Sequence, residues 1–404
     1  MGKRDHFVGI DVGSKKVVCL IGRKGELEEL NIIGIGVRES RGVKNGVIID
    51  LDATAGDIEE AVKEAETMAY LDVEEALVSI SGAHLQSLNS LGTINVMGKE
   101  KITSEDVDRL LVQARSIAIP NDREILYVLP QEYTLDSQSG IVNPVGMTGT
   151  KLDIKVHIIT ALSAAVHNLT TCINKAGVGI KAIIPSYIAA AETTLNADEK
   201  ELGVALLDVG EGTSDIAFFE KGSLWSSFVM AIGGNYFTRD IAIGLRTSIA
   251  DAEKIKRRYG TLIMPGNRDE TAIKIPSVGS GKEKTIPIDI LIDILSPRAE
   301  ELLGIFKQQI GNSGSLKYMN AGVVITGGCA NLKGLDEKAE NVFGLPSRVG
   351  CPGAGIEGLL DRVRYPEFSV AVGLLFLAAR QFGGGQGTEG KGLLSKMRSL
   401  FERF

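Results

Sequence analysis

Two short stretches of this 404-residue chain repeat the same residue types at the same spacing. The first reads Asp11-Val12-Gly13-Ser14-Lys15-Lys16, and the second Asp208-Val209-Gly210-Glu211-Gly212-Thr213-Ser214-Asp215. Glycine at a tight turn lets backbone N–H groups approach an anion closely. The hydroxyls of Ser14, Thr213 and Ser214 add donors, and Lys15 and Lys16 add cations. Carboxylates beside a phosphate repel it unless a divalent cation stands between them. Asp11, Asp208 and Asp215 are therefore candidates to hold Mg²⁺ through water, since that ion keeps several of its waters. One such segment would read as an ordinary glycine turn opened by Asp. Two with matched Asp and Gly, together with the pairs Gly233-Gly234 and Gly327-Gly328, point to a nucleotide whose phosphates lie between two similar halves.

The elements around these residues repeat as well. Residues 7–12 and 16–22 predict two strands about a tight turn, and 203–209 with 213–219 predict the same pair again. In the first half a strand at 47–50 and a helix at 54–69 follow; in the second, a strand at 224–232 and a helix at 235–244. Two facing α/β domains are expected. Between 84 and 160 the pattern changes to a small α+β insertion, with a helix at 104–118 behind a capping box of Thr103 and Asp106. Residues 288–310 predict a long helix interrupted early by Pro297, and 322–326 a strand ending in Gly327-Gly328. Residues 383–392 are rich in Gly and predict a flexible linker.

Composition narrows the function classes. A formal net charge of −7 disfavours nonspecific nucleic-acid binding, so no nucleic acid is expected as a partner. The four cysteines, Cys19, Cys172, Cys329 and Cys351, form no CxxC pair, which speaks against a zinc site or disulfide framework and fits a reducing cytoplasm. The first residues carry no signal peptide pattern, and His6 stands where a myristoylation signal needs Ser or Thr. The longest apolar run, 369–379, is too short to span a bilayer, so membrane contact is expected to be peripheral. His6, His84, His157 and His167 form no metal or triad pattern, and His157, in a strand-like run, reads as structural. Trp225 reads as core.

The last fourteen residues are KGLLSKMRSLFERF. Leu393, Leu394, Met397, Leu400, Phe401 and Phe404 cover an arc of roughly 120° on a helix. Lys391, Lys396, Arg398, Glu402 and Arg403 fall outside it. A basic amphipathic helix tethered to an acidic body predicts an anchor lying in an anionic membrane surface. A helix docked on its own protein is the alternative, and the Gly-rich tether weighs against it.

The segments IDVGSKK and LDVGEGTSDI resemble the two phosphate motifs of the actin, heat-shock chaperone and sugar kinase superfamily, and ITGGCANLKGL resembles its adenosine motif. Glu253, Lys256 and Arg257 match the E-x-x-K-R that flanks adenine and ribose in the chaperones. Within the superfamily, SRGVKNGVIIDLDAT, QEYTLDSQSGIVNPVGMTG, HIITA, GGNYFTRDIAIGL and YPEFSVAVGLL resemble, in order, stretches of the bacterial FtsA cell-division family. The resemblance covers nearly the whole chain. It implies an α/β, actin-like (ribonuclease H-like) duplicated two-domain fold with an inserted α+β subdomain 1C and a C-terminal amphipathic helix. The implied divisions are domain 1A at 1–83 and 161–200, 1C at 84–160, and 2A at 201–225. Subdomain 2B follows at 226–310, then the rest of 2A with a return to 1A at 311–381, a linker at 382–392 and the membrane helix at 393–404.

The resemblance further implies ATP and Mg²⁺ as ligands, with Asn235 beside Gly233-Gly234 in the nucleotide site. It implies assembly into filaments, the FtsZ C-terminal peptide bound through 2B with Arg298 as a pairing residue, later division proteins recruited through 1C, and a peripheral place on the cytoplasmic side of the membrane at the division site. Arg298 also reads as the partner of Glu301 on a helix surface. Two positions depart from the pattern. Glu211 stands where many relatives carry Gly. Ile184 precedes Pro185 where the chaperones carry the Glu that orients the attacking water, so no catalytic residue is assigned and at most slow ATP hydrolysis is expected. A sugar kinase-type phosphotransferase and a pilus-assembly actin-like adaptor are the rival readings.

Overall fold

The computed structural model describes residues 6–25, 29–96, 101–266, 272–276, 283–353 and 355–382. The linker and the amphipathic tail lie outside the described residues.

The first half opens on a meander of β1 (His6–Val12), β2 (Lys16–Lys24) and β3 (Leu30–Glu39), whose Val, Ile and Leu runs are largely buried. The strand expected at 47–50 is only two residues, β5 (Val47–Ile48), paired with β4 (Val43–Lys44). The helix after it, α1 (Leu51–Ala69), starts three residues earlier than its apolar period indicates, because Asp50 caps it by accepting from the Ala53 N–H. Then β6 (Glu75–Ile80) pairs parallel with β1. The chain leaves for the insertion: β7 (Gln86–Asn95), α2 (Ser104–Arg115), β8 (Arg123–Leu135), β9 (Gln138–Ile141) and β10 (Lys151–Leu162). Its four strands form an antiparallel sheet in the order β7-β10-β8-β9. The Thr103–Asp106 capping box starts α2, which ends at Arg115 rather than 118. The return runs through α3 (Ser163–Lys175), β11 (Gly179–Pro185), α4 (Ser186–Thr194) and α5 (Ala197–Leu202).

The second half repeats the meander as β12 (Val204–Val209), β13 (Ser214–Glu220) and β14 (Ser223–Met230). An excursion follows through α6 (Gly234–Leu245), α7 (Ile249–Tyr259), β15 (Ala272–Pro276), β16 (Glu283–Pro287) and α8 (Ile288–Asn312), before β17 (Gly322–Thr326), α9 (Leu335–Phe343) and β18 (Ser347–Val349). Pro297 does not interrupt α8, which is continuous from Ile288 to Asn312. A proline inside a helix costs about 3 kcal/mol. The buried Leu291, Leu295, Leu302, Leu303, Phe306 and Ile310 outweigh that at roughly 1.5–3 kcal/mol each.

The two main sheets run β11-β6-β1-β2-β3-β19 and β14-β13-β12-β17-β18. Each is a meander followed by two further strands laid parallel beside its first, so the duplication read at Asp11 and Asp208 extends through both sheets. The chain's last described elements, β19 (Ile356–Gly358), α10 (Leu360–Val363) and α11 (Ser369–Phe382), go back to the first half, where β19 pairs with β3 and α11 covers β1 and β2. The halves are joined where α11 crosses α4, which also packs on β12 and β13. A β-carbon on Gly373 would lie 1.9 Å from the Ala189 carbonyl oxygen, so only glycine permits this crossing.

Candidate functional site

A cavity of about 770 Å³ separates the two meander turns, with lining residues from both halves. The turns close alike: the Gly13 N–H donates to the Lys16 carbonyl at 3.0 Å, and the Gly210 N–H to the Thr213 carbonyl at 2.9 Å. Asp11, Gly13, Ser14, Lys15 and Lys16 line one wall; Asp208, Gly210, Glu211, Gly212, Thr213 and Asp215 line the other. Where the walls meet, a β-carbon on Gly212 would lie 2.9 Å from the Asn45 Cα. The residue after it, Gly46, donates its N–H to Ser14 Oγ at 2.9 Å.

Three carboxylates crowd this cleft, Asp208 and Asp215 buried and Asp11 half-buried. Ser79 Oγ donates to Asp11 at 2.6 Å, and Ser81 Oγ donates to both oxygens of Asp215 at 2.8 and 2.9 Å. Burial raises the Asp11 pKa against those contacts. Burial and the neighbouring Asp11 push Asp208 up to about 7, and burial with Asp208 lifts Asp215 well above the usual carboxylate range. Burial lowers the Lys16 pKa, its Nζ being 3.9 Å from Glu367 and 3.6 Å from the Phe368 ring centre. Glu211 faces the cleft, and burial raises its pKa. Among the described residues no three acidic, His or Cys side chains converge closely enough to ligate a metal directly. The crowded, underneutralised carboxylates do fit a hydrated cation, which Asp11, Asp208 and Asp215 would hold through its waters.

This crowding sets a pH dependence. Groups whose pKa is raised on folding contribute stability that is present below about pH 4 and lost as pH rises through the folded pKa, which for Asp208 is about 7. The nucleotide-free protein in chelator is therefore expected to melt at lower temperature at pH 8 than at pH 6. Asp208→Asn should flatten that difference; an equal slope in the variant would place its origin elsewhere.

The far end of the cleft is lined by Gly234, Glu253, Lys256, Arg257, Gly327 and Gly328. Lys256 Nζ bonds the Gly234 carbonyl at 3.0 Å and Thr238 Oγ1 at 2.7 Å, and Thr238 donates to Glu253 at 2.6 Å, which ties α7 to the start of α6. Gly327 has φ +82°, and a β-carbon there would lie 2.3 Å from Asp208 Oδ1.

Three expected site residues do not line the cleft. Ser214 is fully buried and donates its hydroxyl to the Ile232 carbonyl at 2.6 Å. Gly233 packs beneath the Gly210-Glu211 backbone, and Asn235 donates to Asn45 Oδ1 at 3.1 Å across the halves. Ile184 is fully buried at the end of β11, and Ser186 is the nearby residue that reaches the cleft wall. Sequence reasoning missed Ser79 and Ser81. Ser79 lies near the end of β6 and Ser81 just after it, and β6 is the counterpart of β17, so extending the duplication beyond the two hairpins could have found them. Tyr365, Pro366, Glu367 and Phe368, just before α11, also line the cleft.

Arg298 lies apart from the cleft on α8. Its Nε and Nη2 donate to Asp240 at 2.6 and 3.2 Å, and Nη1 pairs with Glu301. The exposed Ile243 and Ile290 are carried by the same two helices, α6 and α8. The tail positions Leu393, Leu394, Lys396, Met397, Arg398, Leu400, Phe401 and Phe404 lie outside the described residues. Among the described residues no helix is long and apolar enough to cross a membrane.

A sequence profile of the cell division protein FtsA matches residues 205–373, and one of the SHS2 domain inserted in FtsA matches residues 82–160. Over 369 residues the chain is 38% identical to the cell division protein FtsA of Pseudomonas aeruginosa, covering 91% of this chain and 88% of that protein. The chain belongs to the FtsA family of cell-division proteins. It is likewise 38% identical to FtsA of Neisseria meningitidis over 94% of this chain and 92% of that one. With Escherichia coli K12 FtsA the identity is 33%, over 99% of this chain and 96% of that one. Among solved structures, the PilM-PilN type IV pilus biogenesis complex superposes with TM-score 0.64 at 17% identity, covering 92% of this chain and 98% of that one. MreB 5 of Spiroplasma citri bound to AMPPNP superposes with TM-score 0.56 at 14% identity, over 95% and 98%. The fold is therefore actin-like, with the SHS2 insert of the FtsA family between β6 and β11 of the first half.

Proposed function

We propose that this member of the FtsA family binds Mg²⁺–ATP in the cleft, assembles into filaments, and anchors FtsZ filaments to the inner face of the cytoplasmic membrane through residues 393–404. The observation that carries the nucleotide reading is the pair of identically closed turns facing each other across three crowded carboxylates. The Gly13 and Gly212 turns cradle phosphate, Lys15 and Lys16 offset its charge, and Thr213 donates to it. Glu253, Lys256 and Arg257 bound the adenosine end with Gly327 and Gly328. Ser79 and Ser81 hold Asp11 and Asp215 in place for a hydrated Mg²⁺. The position before Pro185 offers the apolar, buried Ile184, so hydrolysis should fall far below an enzyme median of about 10 s⁻¹. A phosphate-release assay returning a rate near that median would mean that another residue orients the water.

The decisive experiment is binding of the FtsZ C-terminal peptide with and without anionic liposomes: affinity for both supports the anchor, and failure to bind the peptide overturns it. Arg298→Glu sharpens the test. It sets a carboxylate against Asp240 and Glu301, where like charges are costly. Peptide affinity should drop at least tenfold, measured by fluorescence anisotropy, with ATP binding intact. Unchanged affinity would move the peptide site off α6 and α8. Head-to-tail contacts that do not close make filaments. Filaments on lipid monolayers with ATP, with subdomain 84–160 at the subunit contact and free to recruit later division proteins, are the form expected by electron microscopy. The pilus-adaptor reading shares the fold alone, and no feature of the cleft favours a sugar kinase.

A further inference from the structure

Residues 84–160 belong to the first half by connection, leaving after β6 and returning through α3. The Tyr127 hydroxyl holds them to the first half at the Ile183 carbonyl, 2.7 Å away, but a larger set of side-chain hydrogen bonds runs to the second half, and all three long strands reach β14. From β7, Ser87 Oγ donates to the Ser227 carbonyl at 2.6 Å, and the Asn89 amide to the Trp225 carbonyl at 3.1 Å. From β8, the Gln131 amide donates to the carbonyls of Leu224 and Trp225 at 2.9 and 3.0 Å. From β10, His157 sets Nδ1 2.7 Å from Asn89 Oδ1 and Nε2 2.9 Å from Ser227 Oγ, while Lys155 Nζ lies 4.2 Å from the Trp225 ring centre. The hydroxyls of Ser227 and Tyr187, the latter in the first turn of α4, are 3.1 Å apart. Asn89 Oδ1 only accepts, so Nδ1 carries a proton. Burial depresses the His157 pKa to about 3, so the ring is neutral and Nε2 accepts from Ser227.

The junction shares its strand with the phosphate wall. On β14, Ser227 stands opposite Ala217 and Val229 opposite Asp215 of β13, and β13 follows the turn that carries Thr213. On the other wall, Ser81 bonds Asp215 five residues before β7 begins. Rotation of the halves about the α4–α11 crossing moves β14 with the second sheet, while β7 and β10 are tied by chain to the first. The two cannot separate with these bonds intact.

We propose that the junction of β7, β8 and β10 with β14 is a latch, made when the cleft is closed and released when it opens, so that cleft occupancy sets the orientation of subdomain 84–160. Each site then biases one two-state element, and the coupling is reciprocal. The proposal takes its trigger from the nucleotide reading of the cleft, but the junction itself does not depend on that reading.

The protein supplies its own reporter, because Trp225 is its single tryptophan. The full-length protein is titrated with Mg²⁺–ATP by calorimetry while acrylamide quenching of Trp225 is followed. Binding should cut the quenching constant by roughly half as the latched population grows. Ser227→Ala removes the hydroxyl that joins His157 to Tyr187. It should raise Trp225 quenching without nucleotide and speed ATP release about fivefold, the effect of losing one or two hydrogen bonds. Ser87→Ala, at the rim of the junction, should act in the same direction if Ser227→Ala folds poorly. Heat of ATP binding with unchanged Trp225 quenching overturns the latch. Absence of any heat overturns the nucleotide reading instead. The latch is then decided without ligand: greater Trp225 exposure and faster amide exchange in β7 and β10 of the variants support it, and parent-like values refute it.

Discussion

Gly212→Val is expected to weaken Mg²⁺–ATP binding by roughly a hundredfold or more, about 2.7 kcal/mol or above. Two costs combine. The turn must bring its backbone against phosphate, which a branched side chain prevents. The first added carbon also meets the Asn45 Cα at 2.9 Å and the Asn45 N at 3.0 Å, both backbone atoms of the opposite half. Backbone cannot swing aside as a side-chain tip can, so the halves must part, and overpacking of this kind typically costs about 1–3 kcal/mol by itself. Parting also stretches the Asn235–Asn45 bond and the contact of Ser81 with Thr213 and Asp215. Calorimetry with Mg²⁺–ATP checks the affinity, and thermal melting in chelator checks that the variant is folded. ATP affinity equal to that of the parent would sink the assignment of the Gly212 turn to phosphate.

Leu400→Glu combined with Phe401→Glu should release the protein from anionic liposomes almost completely, while ATP and FtsZ-peptide binding survive. As a helix, Lys391 to Phe404 would be about 21 Å long at 1.5 Å per residue. Its six apolar side chains would lie in the acyl boundary and its basic residues among the headgroups. Full burial of a large apolar side chain contributes roughly 1.5–3 kcal/mol. Partial immersion and the cost of ordering the helix leave far less than six times that. Basic residues add roughly 1 kcal/mol each near an anionic surface, a part that salt screens. One tail would thus hold reversibly, and a filament of tails would hold firmly by avidity. Leu400 and Phe401 stand toward opposite edges of the apolar arc, so charging both leaves no wide face to immerse. Flotation of the double variant with liposomes, as for the parent, would replace the anchor by a helix docked on the protein.

What the sequence made legible follows from the range of the interactions concerned. Asp11 and Asp208 could be paired by eye because a hairpin with its turn is a local device, written in consecutive residues. The capping box of Thr103 and Asp106 was readable for the same reason. Pro297 was misread as a break, because local propensity argued for one while the tertiary burial of the α8 face decided otherwise. Ser214 was placed among the phosphate donors by its neighbours. The alternation of a strand turns it away from Thr213 and Asp215, toward Ile232. Ser81 and Glu367 reach the cleft from segments distant in sequence, and no local pattern announces such a convergence.

The return of the chain to its first half constrains the order of folding during synthesis. Sheet β11-β6-β1-β2-β3-β19 lacks its edge strand until residue 358 is made, and its β1–β2 face lacks cover until α11 is complete at Phe382. A β-carbon on Gly9 would lie 2.8 Å from Leu374 Cβ, and one on Gly22 3.1 Å from Leu375 Cδ1, which shows how closely that cover sits. At about 5–20 residues per second, β1 and β2 emerge from the ribosome roughly 20–70 s before the helix that buries them. The 84–160 insertion and the second sheet draw their strands from contiguous chain and can condense in that interval. The N-terminal strands therefore lack their cover through that interval, whereas the segments made later can be finished first.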